Sequence, residues 1–203
     1  MARNKGESFE ITRMQIIQCA TELMTEKGIY NTSLADIAKT VKMSKGTLYY
    51  YYPSKEHLIN DIAELHLGDI TNGLISWIDA LNHGASTVES VKGLLDNLLG
   101  NSALGKVHFV LLNEAMLGNE SLVHKFRTKY REFNVMLEAG LLKTSGYTPD
   151  QIKMFSRVFF AVLDGYTLQK MLGIEKMMLD DIASLLLPDC RELGKEQSGD
   201  GKI

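Results

Sequence analysis

Between Ser33 and Pro53 the chain encodes two helices, each too short to bury a core alone. Ser33-Leu34-Ala35-Asp36 sets a hydroxyl N-cap with an acid three residues on, and Ile37, Ala38 and Val41 follow at helical spacing. A break at Val41-Lys42-Met43 leads to Ser44, a second hydroxyl cap, and to a helix that must stop before Pro53, because the residue ahead of proline avoids the α region. Ser54 then caps a longer fourth helix. Ahead of them a first amphipathic helix is predicted from about Thr12, its N-cap, to Lys27; it carries Ile16, Ala20, Leu23 and Met24 on one stripe and Gly28 as its stop. Two short helices joined by a tight turn gain stability only when packed on a third, which is the helix-turn-helix arrangement, here over 33–52.

The remaining chain reads as helix throughout. Of 203 residues only three are proline, and no long alternating Val/Ile/Thr stretch occurs. Helical segments are expected near Lys55 to Leu81, Ser86 to Leu99, Leu104 to Leu117, Ser121 to Thr144, Pro149 to Leu172 and Glu175 to Leu187, giving an all-α chain of about nine helices. The expected organisation is a head carrying the helix-turn-helix over 9–69, a helical body over 70–190, and a polar, disordered tail over 191–203. Cys19 and Cys190 stand apart from each other and from any metal-ligand spacing, and no apolar run is long enough for a bilayer, so a cytoplasmic location with no membrane partner is expected.

A net charge of −3 argues against a protein that coats nucleic acid, but its distribution matters more than its sum. Through Asn60 the basic residues outnumber the acids, so the head is mildly basic and the body acidic. Leu48 and Tyr52 fall on one side of the third helix, towards Ile37 and Ala38; Gly46, Thr47, Tyr49 and Tyr50 fall mostly on the other. Two outward aromatic rings beside a glycine and the lysines Lys42 and Lys45 suit a major-groove reader: Gly46 lets the backbone approach, while Thr47 and the tyrosine hydroxyls reach base edges or phosphates. Lys55 stands in the first turn of the fourth helix, where the dipole disfavours a cation and a phosphate would reverse the sign. The N–H groups at Ser33 and Ser54, with Thr32 nearby, are expected phosphate sites.

The stretch from Ile17 to Leu58, with Ala20, Leu23, Gly28, Tyr30, Thr32-Ser33-Leu34, Ile37-Ala38, Ser44, Gly46-Thr47-Leu48-Tyr49-Tyr50-Tyr51-Tyr52 and Ser54-Lys55, resembles the N-terminal domain of the TetR family of bacterial repressors. The resemblance covers a quarter to a third of the chain; beyond it the likeness is one of length and helical pattern. It implies that the third helix enters the major groove, that the second and the start of the fourth hold phosphates, and that the last two helices pair in a dimer. Carried over, Thr47, Tyr49, Tyr50 and Tyr51 become DNA contacts, with Ser44 and Lys45 beside them, and Lys55 becomes a phosphate clamp. One position departs: Lys42 stands where the family usually has glycine. A left-handed lysine there costs about 1 kcal/mol, so either the turn is altered or phosphate contact offsets the strain.

Catalytic and cofactor chemistry find no footing. Gly100 to Val107 imitates a phosphate-binding loop, but Val107 replaces the hydroxyl that ligates Mg²⁺, and no strand precedes it. There is no nucleophile elbow or zinc helix, and the five histidines are scattered. No catalytic residue, metal or cofactor is expected. In the body, Phe155 to Leu172 is apolar on nearly all sides; one face serves the chain's own core and a second implies a partner copy. Phe155, Phe159, Val162, Gly165 and Tyr166, with Met178, Ile182 and Leu186 from the last helix, are the expected dimer contacts. Trp77, Phe109, Met116, Tyr130 and Phe133 suit an adaptable apolar cavity for a small effector, with Asn113, Asn134 and Asp164 as polar anchors. The expected partners are thus an operator duplex, a small effector and a second copy of the chain. The competing readings are an architectural helix-turn-helix protein without a ligand, and a helical enzyme.

Overall fold

The apolar stripe of the first helix reaches further towards the N-terminus than Thr12. Phe9, Ile16, Ala20 and Met24 share one side, and the helix α1 spans Ala2–Lys27. Thr12 is therefore not an N-cap. Its hydroxyl donates to the Ser8 carbonyl at 2.9 Å inside the helix, because only Gly6, a weak breaker, interrupts the segment ahead of it. The computed structural model describes residues 2–83, 87–100, 102–143, 147–174 and 181–182.

Seven further helices follow among the described residues: α2 (Leu34–Thr40), α3 (Lys45–Tyr51), α4 (Lys55–Asn82), α5 (Thr87–Gly100), α6 (Ser102–Met116), α7 (Glu120–Leu141) and α8 (Pro149–Met171). No strand occurs among those residues. The start of α2 is fixed as the sequence demands: Ser33 Oγ accepts from the Asp36 N–H while the Asp36 carboxylate accepts from the Ser33 N–H. Ser44 Oγ accepts from the Thr47 N–H at the start of α3, and Tyr52 leaves the helix at φ −133° just ahead of Pro53. Thr148 and Gln151 repeat the reciprocal cap at α8, with Pro149 in its first turn. Of the last expected helix only residues 181 and 182 are described; Met178, Leu186 and the tail over 191–203 lie outside the described residues.

The chain divides into two compact units, Met1–Gly68 with Lys106–Arg127, and Asp69–Gly105 with Thr128–Ile203. The expected head and body follow chain order; these units do not, because Lys106–Arg127 returns to the first. In the first unit α2 packs on α1 and α3, burying Ile16, Ala20, Met24, Ile37, Leu48 and Leu58. Lys106–Arg127 is held on α4 by three polar contacts: Lys125 to Glu64 at 2.6 Å, Ser121 to Asn60 at 2.9 Å, and His66 Nε2 to His108 Nδ1 at 2.9 Å. The second unit is built on Leu74, Trp77, Leu95, Phe133, Leu137 and Phe159. Gly140 is required there, since a Cβ would lie 2.3 Å from the Trp77 ring.

Candidate nucleic-acid interface

Helix α3 turns one side inwards and the other out. Leu48 is fully buried and Tyr52 nearly so, whereas Tyr49 is 50% and Tyr50 74% exposed. Lys45, Gly46 and Thr47 are exposed beside them, and Tyr51 is half-buried. The inner side is pinned at its end: Tyr52 Oη donates to Asp61 at 2.9 Å, and Arg13 donates to the same carboxylate oxygen from Nη2 at 2.8 Å and from Nε at 3.2 Å. Burial and the neighbouring Asp61 push the Tyr52 phenol well above its ordinary range, so it stays a donor. This junction of α1, α3 and α4 orients the outer face of α3, and its residues Arg13 and Asp61 were not singled out from the sequence.

Gly46 has open space around it, since an added Cβ would meet only Ser44 Oγ at 3.8 Å. Interior packing therefore does not demand glycine, which costs about 0.5–1 kcal/mol in a helix relative to alanine. Its bare backbone faces outward, where a close-approaching partner would use it. Ser44 and Thr47 share a 2.8 Å contact between their hydroxyls, which fixes the Thr47 side chain at the exposed start of the helix.

A cup of about 360 Å³ opens beside this face, lined by Tyr30, Thr32, Ser33, Leu34, Tyr49, Pro53, Ser54 and Lys55. Two expected phosphate ligands in it are corrected. Thr32 is buried, with Oγ1 donating to the Gly28 carbonyl at 2.9 Å and its N–H donating to the Ile29 carbonyl; the loop after α1 needs both groups to close. The Ser33 N–H is not free, because Asp36 Oδ2 accepts it at 3.0 Å. Lys55 Nζ donates to the carbonyls of Ile29 at 2.9 Å and Thr32 at 3.2 Å. Those two oxygens offset the cation at the helix start, so a phosphate is no longer needed to explain it, although an ammonium has a third N–H to give.

Lys42 adopts φ +57°, and it alone among the described non-glycine residues has a positive φ. The turn is therefore not altered; lysine takes the left-handed conformation. Its N–H donates to the Lys39 carbonyl and the Met43 N–H to the Ala38 carbonyl, closing the paired hydrogen-bond motif that usually ends in glycine. The Lys42 side chain is exposed.

The dimer expectation needs a different face of α8. Phe155, Phe159 and Tyr166 are buried within the chain, as is Ile182. Phe159 stacks on Phe155 and meets Phe160 edge-on, so the large rings fill the chain's own core. The uncovered side carries Met154, Val158, Leu168 and Leu172, with Ala161 exposed and Val162 and Gly165 half-buried. Residues 154, 158, 161, 165, 168 and 172 alternate spacings of four and three, the pattern of a helix-pairing seam.

The expected effector residues divide between the two units: Phe109, Asn113 and Met116 fall in the first, Trp77, Tyr130, Phe133, Asn134 and Asp164 in the second. Met116 is 76% exposed and Asn113 is exposed; both stand on the outward side of α6, and Phe109 meets the His108 ring edge-on in the first unit. In the second unit Tyr130 donates to Asp164 at 2.8 Å and its ring packs with Phe133 and Phe160. Asn134 Oδ1 is buried with no hydrogen-bond partner. Trp77 lines a hollow in the second unit. It belongs to a groove of about 320 Å³ between α4 and α5, with Gly73, Ser76, Ala80, Glu89, Ser90, Gly93, Leu94 and Asn97. The Trp77 indole N–H is held by Ser90 Oγ at 3.3 Å. Among the described residues no group of three His, Cys, Asp or Glu side chains is placed to hold a metal, and no helix is long and apolar enough to cross a membrane.

Residues 16–62 match the family described as bacterial regulatory proteins, tetR family. Over 70 residues the chain is 33% identical to the HTH-type transcriptional regulator AcrR of Shigella flexneri, covering 34% of this chain and 33% of that one. Over 107 residues it is 32% identical to the HTH-type transcriptional regulator UidR of Escherichia coli K12, covering 51% and 53%. The matches thus span a third to about half the length of these relatives. A solved transcriptional regulator from Aquifex aeolicus VF5 superposes with a TM-score of 0.63 at 25% identity, over 92% of this chain and 99% of that one.

Proposed function

Because this chain belongs to the TetR family of bacterial regulatory proteins, whose members are regulators and not enzymes, we propose that it is a DNA-binding transcriptional repressor, acting in the cytoplasm as a homodimer on a palindromic operator. The observation that carries this reading is the two-sided α3. A helix of seven residues buries Leu48 and Tyr52 and leaves Lys45, Gly46, Thr47, Tyr49 and Tyr50 open. In this reading Thr47, Tyr49 and Tyr50 meet base edges; Ser44, Lys42 and Lys55 lie against phosphates. One head spans few base pairs, so two heads on a two-fold axis are needed for a specific site. The apolar seam of Met154, Val158, Ala161, Gly165, Leu168 and Leu172 on α8 supports self-association. Selection of genomic fragments by the full chain should return a short inverted repeat; recovery of unrelated sequences would remove the operator reading.

The regulatory part of the proposal is release by a small apolar or amphipathic effector, supported by the α4/α5 groove, whose volume lies at the lower end of ordinary ligand sites. Effector binding that changes the pitch of α4 would move the heads off a half-site spacing of about 34–36 Å. Linkage makes this testable. A compound that raises the melting temperature should bind about 5- to 150-fold more weakly in the presence of operator. Equal affinity with and without operator would leave DNA binding standing and reject induction.

A further inference from the structure

Between Gly6 and Ile11 the first turns of α1 are exposed except at Phe9. Phe9 is withdrawn because its ring stacks on Tyr51, with centroids 4.6 Å apart and planes at 22°. The same ring meets Tyr50 edge-on at 6.1 Å and 87°, and Tyr50 meets Tyr51 edge-on at 5.5 Å and 86°. Three rings thus close a triangle in which one pair is stacked and two are T-shaped, the arrangements that the ring quadrupole favours. One turn further on, Arg13 joins Asp61 and, through it, Tyr52. α1 therefore holds the end of α3 from two successive turns.

We propose that Phe9 is a positioning residue for operator reading: with Tyr51 it forms an aromatic bracket that holds Tyr50 in one orientation on the open face of α3. The inference rests on the DNA-binding reading above. An exposed tyrosine on a helix otherwise swings between staggered rotamers, and a protein that must fix such a side chain on binding loses affinity. The bracket fixes Tyr50 in the free protein. It also reassigns Tyr51: its face is covered by Phe9, so its ring supports a neighbour where the family resemblance implies a DNA contact. The extension of α1 ahead of Thr12 gains a role, since without those turns Phe9 would not reach α3.

The test uses the full chain and genomic fragments selected by the unaltered protein, with scrambled duplex of equal length as the non-specific reference. Phe9→Ala should weaken the selected sequence about 2- to 12-fold per head, leaving scrambled-DNA affinity and the salt slope unchanged. Phe9→Tyr, which keeps the ring, should restore selectivity. In a Tyr50→Ala background, Phe9→Ala should cost nothing further on the selected sequence. An equal loss in both backgrounds overturns the bracket. So does a loss shared equally by scrambled DNA and accompanied by a lower melting temperature, which is what a merely structural Phe9 would give. If the unaltered protein selects no sequence, the DNA-binding reading and the bracket both fail; if it does and Phe9→Ala matches it, the bracket alone fails.

Discussion

Helices α3 and α8 both leave large side chains in the open, but of opposite kinds. On α3 the exposed rings are Tyr49 and Tyr50, each with a hydroxyl and set beside Lys45 and Thr47. Along α8 and its C-cap the exposed side chains are Met154, Val158, Leu168 and Leu172, with no polar tip. A tyrosine can end its hydrophobic contact on a hydrogen bond, which fits a hydrated, charged partner such as a duplex. Valine and leucine have only area to offer, and a seam of them is satisfied by another seam. The chemistry of what is left uncovered thus suits one face to the proposed duplex and the other to the proposed second copy, even where exposure is similar.

The largest effect should come from putting charge into the α8 seam. Val158→Asp changes a residue 45% exposed in the single chain, so the fold of one protomer should change by no more than about 0.5 kcal/mol. An unpaired charge buried between two copies costs about 3–5 kcal/mol, so sedimentation should show a monomer for the variant and the proposed dimer for the unaltered chain. Phe159→Glu, in contrast, should unfold the protomer, since that ring is fully buried. If Val158→Asp still sediments as a dimer, the seam is not the interface.

The next largest effect separates the two units by pH. His66 is buried in the first unit and its pKa falls to about 3, because burial, and then the adjacent His108 imidazole, disfavours its charge. The second unit's histidine, His83, is exposed. A depressed folded pKa means that the unfolded chain binds the proton first. Stability from this group is complete above about pH 6.5 and is lost as pH falls towards 3, at up to about 1.4 kcal/mol per pH unit. Denaturant titrations at successive pH values should show that slope, and His66→Leu should flatten it. An acid limb unchanged in His66→Leu would place the sensitivity elsewhere.

A smaller effect tests the α3 face. Tyr49→Ala and Thr47→Ala should each cost about 1–3 kcal/mol on the selected operator and relax sequence choice, with little change in non-specific binding. Matched affinity measurements on selected and scrambled duplexes check this. A uniform loss on both would mean that these side chains meet only the phosphate backbone.

Much of the head was legible because its signals are local. Ser33, Ser44, Gly28 and Pro53 each act on the backbone within a few residues, and the boundaries of α2 and α3 follow from them. Phe9 continues the stripe through Ile16 and Ala20, but the polar run around it hid that continuation and with it the extension of α1. The faces of α8 were not legible. Phe155 and Val158 are both apolar, and nothing in composition says which packs inward; the inward side of α8 is the one whose Phe160 meets Tyr130 and Phe133 of α7. The effector site was less legible still, because aromatic and methionine content is shared by cores and cavities. Tyr130 and Phe133 turned out to be packed together, while Met116 points to solvent.

The smallest effect concerns one backbone angle. Three turns close with the same pair of hydrogen bonds. After α6 they run from Gly118 to Ala115 and from Asn119 to Glu114; after α8, from Gly173 to Lys170 and from Ile174 to Gln169; after α2, from Lys42 to Lys39 and from Met43 to Ala38. Their left-handed residues have φ of +109°, +72° and +57°. Only the turn next to α3 uses a residue with a Cβ. Lys42→Gly removes strain of about 1 kcal/mol but adds a nearly equal freedom to the unfolded chain. Stability should therefore stay level or rise slightly, by at most about 1 kcal/mol, whereas Lys42→Val should lower it. If lysine is kept there to meet a phosphate, Lys42→Gly should weaken selected and scrambled DNA alike and reduce the salt slope by about 1. Level or higher stability with weaker, less salt-sensitive binding would identify the strain as serving DNA contact. An unchanged slope would show that the turn tolerates lysine without using it.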